Sequence, residues 1–192
     1  MYNPVVDFVY MLPDTALPEL ICMNVLIVTL RIDLEAQKIF DDLREQYFPP
    51  HLNYLKSHLT LFHHLPADDA SITEIIKQHA DHGRMSLRVN NIRHTGFGVA
   101  YTIEAPEILT LRASLANAFR QWLTPQDQQK FQPHITVQNK VTAEVSKQLS
   151  KQLLETFVPF EIEGEGLDTW LYKNGPWEHI EYYRFADTTG TH

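Results

Sequence analysis

A four-residue pattern that occurs twice constrains this chain more than any other feature. Residues 58–61 read His-Leu-Thr-Leu, and residues 134–137 read His-Ile-Thr-Val. Successive side chains of an extended strand point to opposite faces, so each histidine shares a face with the threonine two positions later. Two such strands side by side would aim two imidazoles and two hydroxyls into one cleft above an apolar layer. The side chains concerned are His58, Thr60, His134 and Thr136.

The elements around the two motifs follow the same order twice. A buried strand at about 24–32, a helix capped by Asp33, the first motif strand, a helix opened by Ser71 and a further strand form the first series, at about 22–93. The same series of strand, helix, motif strand, helix and strand returns over about 96–163. The repetition predicts a duplication of architecture with little residue identity.

These patterns predict the fold class and the domain organisation. We expect an α+β fold of two similar β-α-β-α-β lobes, with antiparallel-rich sheets around a central cleft. A hairpin at about 166–186 should follow, turning at Asn174-Gly175 because this dipeptide favours the two-residue hairpin turn. Residues 1–21 show no sustained period and predict an extended arm, which leaves 22–192 as a single bilobal domain.

Composition and charge restrict the class of partner. The formal net charge of −8 argues against a binder of long duplex nucleic acid and favours a short substrate. Cys22 is the single cysteine, which excludes an internal disulfide and favours a reducing compartment. The N-terminus lacks a signal-peptide pattern, and no apolar stretch is long enough to span a bilayer. We therefore expect a cytoplasmic monomer without membrane contact.

The paired motifs resemble those of the 2H phosphoesterase superfamily, which includes the bacterial proteins called 2′-5′ RNA ligases and the cyclic nucleotide phosphodiesterases. The second copy is the closer match, because family members often have proline before the histidine, as Pro133 is here. Ser57 stands at that position in the first copy, and Lys140 replaces the arginine that often follows a motif. The resemblance covers roughly residues 22–186. It implies the bilobal fold and a mechanism that needs neither a metal nor another cofactor.

The chemistry implied by the resemblance suits these residue types. Cleavage of a 2′,3′-cyclic phosphate or a 2′-5′ phosphodiester requires one proton to be removed and another to be donated. An unperturbed histidine titrates near pH 6.5, so one imidazole can be neutral while the other is cationic. The threonine hydroxyls can donate to the non-bridging oxygens, where negative charge develops. Sequence leaves open which histidine is the acid, and whether hydrolysis or the reverse ligation is favoured.

Three further residues are candidates for substrate binding. Phe62 follows Thr60 on the same face by strand alternation and could stack on a base, although covering the core is an equal alternative. Lys140 could meet a phosphate, or it could simply be solvated at a strand end. Tyr172 shares a face with Trp170 and could wall a nucleoside pocket, or both could be core residues.

Other functions are compatible with parts of this sequence. The same fold could bind a nucleotide or an RNA end without turnover, or the motifs could be ordinary amphipathic strands. Several histidines cluster, but no carboxylate or cysteine ligands accompany them at a familiar metal-site spacing. Neither a nucleophile elbow nor a glycine-rich phosphate loop occurs, so a serine hydrolase and an ATP or NAD cofactor are not implied.

Overall fold

Within residues 24–186, all named strands pair in antiparallel fashion in one seven-stranded sheet, accompanied by four α-helices. The computed structural model describes residues 24–186, so the arm predicted over 1–21 lies outside the described residues. The elements, in chain order, are β1 (Val25–Ile32), α1 (Leu34–Tyr47), a 3-10 turn (Pro50–Leu52), β2 (Leu59–Pro66), α2 (Ala70–His79), β3 (Met85–His94), β4 (Val99–Glu104), α3 (Pro106–Ala118), β5 (His134–Gln138), α4 (Ala143–Leu154), β6 (Phe160–Tyr172) and β7 (Trp177–Arg184).

Local sequence signals account for most of the element boundaries. The Asp33 carboxylate accepts a hydrogen bond from a backbone N–H in the first turn of α1, and the Thr142 hydroxyl does the same for α4. The predicted cap of α2 is wrong by two residues. Asp69, not Ser71, is the N-cap, and its carboxylate accepts from the N–H of Ser71 at 3.0 Å. The aspartate wins because it precedes the first helical turn and offers a charged acceptor.

The strand order exchanges partners between the two repeats. The order is β2-β1-β6-β3-β4-β5, with β7 also paired to β6. The last strand of the first repeat, β3, therefore pairs with β4 of the second repeat, while β6 of the second repeat pairs with β1 of the first. The sequence predicts the succession of elements but not this exchange, which joins the two lobes into one sheet. The motif strands β2 and β5 stand at the two ends of the order.

Strand β6 is longer than the repeat pattern predicts. The final strand of the second repeat and the first strand of the C-terminal hairpin are one strand of 13 residues. Its first part pairs with β3 and its second part pairs with β7. The predicted turn is confirmed, because Asn174 and Gly175 both have positive φ, at 55° and 157°.

The apolar faces of both motif strands are buried in the core. Leu59 and Leu61 of β2 and Ile135 and Val137 of β5 are almost completely buried. Helix α1, from the first repeat, packs against β5 of the second repeat, and α4 packs against β3 and β4. Each large apolar side chain buried in this way stabilises the fold by about 1.5 to 3 kcal/mol. The polar face of each motif strand is thereby turned away from the core.

Candidate active site

The two motif histidines have the same environment on their Nδ1 side. His58 Nδ1 lies 2.8 Å from the carbonyl oxygen of Lys56, and His134 Nδ1 lies 2.8 Å from the carbonyl oxygen of Gln132. A carbonyl oxygen only accepts, so Nδ1 carries a proton in both rings and Nε2 bears the lone pair when a ring is neutral. Both rings are half-buried. The same nitrogen, Nε2, is therefore the unprotonated one in the neutral form of each ring.

The motif strands lie close together although they stand at opposite ends of the strand order. Residues of β2 and β5 approach within 8 Å between Cα atoms, so the sheet curls until its two ends meet. Helix α1 reinforces this approach from the first repeat. Gln138 Nε2 donates to the carbonyl oxygen of Tyr47 at 3.4 Å, and Arg44 donates to the carbonyl oxygen of Thr136 at 3.0 Å. The half-buried Thr60 and Thr136 follow their histidines on these strands.

A register shift interrupts β2 directly after its motif threonine. Thr60 lies opposite Thr29, and the next partner pair is Phe62 with Val28, so Leu61 is an extra residue in β2. A bulge of this kind breaks the regular alternation of side chains. Phe62 is 0% exposed as a result and packs into the core. The expectation that Phe62 stacks on a base is thereby corrected in favour of its alternative, a core residue.

Strand β5 has the equivalent shift at the same motif position. Thr136 lies opposite Ala100 and Gln138 lies opposite Val99, which leaves Val137 as the extra residue. Gln138 is accordingly buried instead of following Thr136 upward. Bulges occur often beside active sites, where they re-aim side chains. Because alternation ends here, the sequence pattern could not extend the site beyond the threonine.

Lys140 and Tyr172 remain candidates with less support from the structure. Lys140 lies two residues past the end of β5, exposed, with a φ of 60°. Strand alternation therefore does not place it above Thr136. Tyr172 is half-buried and lies opposite Trp177 in the pairing of β6 with β7.

An aromatic group lies beside His58, and the sequence pattern indicates only part of it. The ring centroid of Trp177 lies 4.6 Å from that of His58, and Trp170 lies 6.3 Å from Trp177. The indole Nε1 of Trp170 donates to the hydroxyl of Thr29 at 2.9 Å. Strand alternation singles out Trp170 through its shared face with Tyr172, but it does not single out Trp177. The available signal is the position of Trp177 directly after the hairpin turn, opposite Tyr172.

Sequence reasoning also missed two arginines on the strands of the sheet. Arg31 of β1 makes two hydrogen bonds with the buried carboxylate of Asp168 and lies 3.8 Å from the ring centroid of Tyr182. The Asp168 hydrogen bond raises the pKa of Arg31, with burial acting in the opposite direction. Arg93 of β3 donates to the side-chain oxygen of Gln132. The backbone carbonyl oxygen of the same Gln132 accepts from His134 Nδ1. Both arginines lie far from the motifs in sequence, so no local pattern connected them with the site.

The other two histidines of the first motif strand, His63 and His64, bond to the carboxylate of Asp127. The backbone N–H groups of His63 and His64 donate to the two carboxylate oxygens of Asp127, at 2.9 and 3.1 Å. Burial alone would raise the pKa of Asp127, but the His63 ring, whose Nδ1 lies 3.2 Å from Oδ1, and the backbone N–H groups of His63 and His64 lower it overall. In the described part of the chain, no three His, Cys, Asp or Glu side chains gather closely enough to hold a metal ion.

Several solved structures share this fold. E. coli LigT complexed with 3′-AMP is 16% identical, with a TM-score of 0.57, and the match covers 85% of this chain and 99% of LigT. A protein of Thermus thermophilus is 17% identical, with a TM-score of 0.59 and the same two coverages. A further crystal structure, of a phosphoesterase, is 14% identical with a TM-score of 0.57 and again the same coverages. No curated protein matches this chain by sequence.

The fold is therefore that of the 2H phosphoesterases, as the paired motifs predicted. The model of the 2′-5′ RNA ligase superfamily matches residues 32–176, more than half of the chain, and includes both motifs. The chain belongs to the 2′-5′ RNA ligase superfamily, which supports an enzyme of the phosphoesterase or RNA ligase type. Within residues 24–186, no helix combines the length and apolar character needed to cross a membrane.

Proposed function

We propose that this protein is a metal-independent phosphodiesterase that acts on 2′,3′-cyclic phosphates or 2′-5′ phosphodiester bonds of nucleotides or RNA ends. His58 and His134 are the acid and base, and Thr60 and Thr136 hold the phosphate. Ligation is the same chemistry in reverse. The protein is a monomer, and its setting is the cytoplasm, since its single cysteine, Cys22, needs no oxidising compartment.

The observation that carries this proposal is the matched orientation of the two imidazoles. In each repeat, Nδ1 is bonded to the carbonyl oxygen two residues earlier, which gives both rings the same tautomer, and we assign the proton transfer to Nε2 of each ring. An isolated motif histidine could be held in this way by chance. The same bond at the same spacing in two repeats, on strands that approach each other, fits a pair of proton carriers.

The proposed reaction balances with these groups alone. For a cyclic phosphate, Nε2 of the neutral imidazole takes a proton from the attacking water as its oxygen bonds to phosphorus. The bond from phosphorus to the 2′ or 3′ oxygen breaks, and the leaving oxygen takes a proton from Nε2 of the second, cationic imidazole. The threonine hydroxyls donate to the non-bridging oxygens. Each turnover leaves the two rings with exchanged protonation states, which solvent resets.

The aromatic group supports a nucleoside position on the side of His58. Trp177 contacts the His58 ring, and Trp170 extends this apolar wall. An indole offers a wide face for a base, and stacking of this kind tolerates different bases. Solved complexes of E. coli LigT contain 3′-AMP, ATP and NADP+, all of which carry an adenosine. In this arrangement the phosphate lies between the motif strands and the base lies against Trp177.

The test is turnover of 2′,3′-cyclic nucleotides and 2′-5′-linked dinucleotides in the presence of EDTA, with wild type, His58→Ala and His134→Ala. We expect wild type to turn over at least one substrate with a bell-shaped pH dependence. Each alanine variant should lose on the order of 100- to 10,000-fold in kcat, because each removes one proton carrier.

The same assay distinguishes the proposed enzyme from the competing function, which is nucleotide binding without turnover. A protein that binds nucleotides without turnover would show affinity for 3′-AMP and no product with any substrate. Turnover that EDTA abolishes, or that either alanine variant retains, would contradict the two-histidine mechanism.

A further inference from the structure

Each motif strand gives one backbone carbonyl oxygen to an arginine of the other repeat. Arg44, on α1 of the first repeat, donates from Nη1 to the carbonyl oxygen of Thr136 in β5 at 3.0 Å. Arg112, on α3 of the second repeat, donates from Nε to the carbonyl oxygen of Leu61 in β2 at 2.6 Å. The two bonds cross between the repeats in opposite directions.

Both guanidinium groups are held rigidly in the interior. Arg44 is 5% exposed and Arg112 is 6% exposed. Arg44 lies 4.0 Å from the ring centroid of Phe48, and Arg112 lies 3.7 Å from that of Phe62. The burial of Phe62, which removes it from the substrate site, thus gives Arg112 a surface on which to lie. A planar, stacked guanidinium with several fixed donors is a stiff connector, which a lysine ammonium is not.

Further hydrogen bonds anchor each arginine in the loop that precedes or flanks a motif. Arg44 Nε donates to Asn53 Oδ1 at 3.1 Å, in the segment that leads into β2. Arg112 Nη2 donates at 2.6 Å to the carbonyl oxygen of Asp127, whose carboxylate accepts from the backbone of β2. Each arginine therefore connects a loop of its own repeat with the motif strand of the other repeat.

The two carbonyl oxygens lie at the register shifts that follow the motif threonines. Thr136 borders the extra residue of β5, and Leu61 is itself the extra residue of β2. A bulge leaves a backbone group without its ladder partner, and a buried carbonyl left unbonded is costly. The arginines satisfy these groups within two or three residues of each catalytic histidine. Their positions therefore bear directly on the direction in which each imidazole points.

We infer that Arg44 and Arg112 form a crossed clasp that fixes the spacing and rotation of β2 and β5, and with them the gap between the two imidazoles. This inference rests on the proposed function. The arginines are positioning residues, because each acts through a motif strand and neither is assigned a contact with substrate. The clasp accounts for how the ends of a curled sheet hold two catalytic groups in register.

The kinetic test compares Arg44→Met, Arg112→Met, Arg44→Lys and Arg112→Lys with wild type, using the cyclic nucleotide that wild type hydrolyses best. A displacement of about 1 Å in a reacting group can cost on the order of 100-fold in rate. We expect each methionine variant to lose about 100-fold in kcat with KM changed less than about threefold. Each lysine variant should recover about tenfold, since it retains one donor but not the planar group.

Two features distinguish a clasp from simple stabilisation. The double lysine variant should be little slower than the slower single variant, because one lost contact already separates the imidazoles. Arg84→Met is the matched control. Arg84 forms ion pairs with Glu163 and Glu165, 3.2 Å away in each case, and both glutamates belong to β6 instead of a motif strand. We expect this control to keep wild-type kcat even if it unfolds more easily.

A second measurement does not depend on turnover. The NMR signals of the His58 and His134 rings in the ligand-free lysine variants should change crosswise: Arg44→Lys should shift the His134 ring, and Arg112→Lys the His58 ring. If wild type hydrolyses no substrate, the proposed function fails, and the crosswise shifts still decide the clasp. Wild-type kcat in both lysine and methionine variants, or ring shifts confined to the same repeat as the substitution, would overturn the clasp and leave the proposed function intact.

Discussion

The first and second motif strands share a hydrogen-bonding pattern and a register shift, but different side chains surround them. Both begin with a histidine whose Nδ1 is bonded to a carbonyl oxygen two residues earlier, and both shift register after the threonine. The side of His58 additionally carries Trp177 and Trp170. On the side of His134, Arg93 donates a hydrogen bond to the side-chain oxygen of Gln132. The shared hydrogen bonds and register shifts fit a proposed proton transfer that uses both repeats in the same way. The tryptophans, which lie on the side of His58, fit the proposed recognition of a substrate with a base at one end.

The segment before each motif shows the same divergence. Pro133 precedes His134, whereas Ser57 precedes His58. Ser57 is buried, and its N–H and hydroxyl both donate to Asp41, at 2.7 and 2.8 Å. A proline at this position would lack both donors. Ser57 departs from the family pattern, but it connects the start of β2 to α1 through hydrogen bonds that a proline could not make.

After the two histidines, the largest effect should come from the threonine hydroxyls, which test the equivalence of the two repeats. Thr60→Val and Thr136→Val keep the side-chain shape and remove the donor. We expect each to lose about 100- to 1,000-fold in kcat, the usual loss for one donor to a developing oxyanion. Measuring kcat for both variants on the same cyclic nucleotide shows whether the losses match.

Serine variants and a distant threonine control this comparison. Thr60→Ser and Thr136→Ser retain the hydroxyl and should recover most of the rate. Thr110→Val removes a hydroxyl on the exposed surface of α3, where it bonds to the carbonyl oxygen of Pro106, and should not change kcat. A large loss in only one motif variant would break the equivalence and assign the phosphate contacts to a single repeat.

A smaller effect should separate the aromatic side from the opposite one. Trp177→Ala should raise the KM for a cyclic nucleotide about 5- to 150-fold, since a stacked base is worth about 1 to 3 kcal/mol. Phe97→Ala is the matched variant beside β5, because Phe97 is exposed and its carbonyl oxygen accepts from Val141 after that strand. We expect it to leave KM unchanged.

A cyclic phosphate without a base serves as the internal control for Trp177. Trp177 contacts the His58 ring, so its removal could also disturb proton transfer. If stacking is the cause, Trp177→Ala should leave turnover of the baseless substrate unchanged. Equal losses with and without a base, or a larger effect of Phe97→Ala, would place the nucleoside elsewhere.

Sequence predicts the order of elements because their signals are local. The caps at Asp33 and Thr142 and the turn at Asn174-Gly175 depend on a few neighbouring residues and appear where expected. The exchange of β3 and β6 between the repeats depends on pairing across the whole sheet. Alternating side chains specify a buried face but not a partner, so the exchange left no local sign.

The limits of the predicted site have a similar physical origin. Alternation correctly separates His58 and Thr60 from the core, and it fails at Phe62 because the register shift inserts a residue. A bulge has no fixed sequence signature. Arg44 and Arg112 could not be connected to the motifs from sequence, since they lie on helices of the opposite repeats. Contacts between repeats are the part of the site that a strand pattern does not encode.

The smallest predicted effect concerns the outer edge of the first motif strand. The edge of β2 bonds to the carboxylate of Asp127 through the N–H groups of His63 and His64. Asp127→Asn keeps one acceptor oxygen and removes the charge, so we expect it to lower the free energy of unfolding at pH 7 by about 1 kcal/mol. Urea denaturation at several pH values measures this loss. Asp42→Asn is the control, because Asp42 is exposed and forms an ion pair with Lys38 on the surface of α1.

The pH dependence of that loss identifies its cause. Burial opposes ionisation of Asp127, but the hydrogen bonds from His63 and His64 hold its pKa below the ordinary value of 3.8 in the folded state. A carboxyl group with a lowered pKa stabilises the fold fully above its unfolded value and loses this contribution as the pH falls through its folded value. The part of the difference between wild type and Asp127→Asn that comes from this lowered pKa should therefore be fully present well above pH 3.8 and shrink as the pH falls below about 3.8. A difference that stays constant in acid would mean that shape, and not charge, makes Asp127 suit the edge of β2.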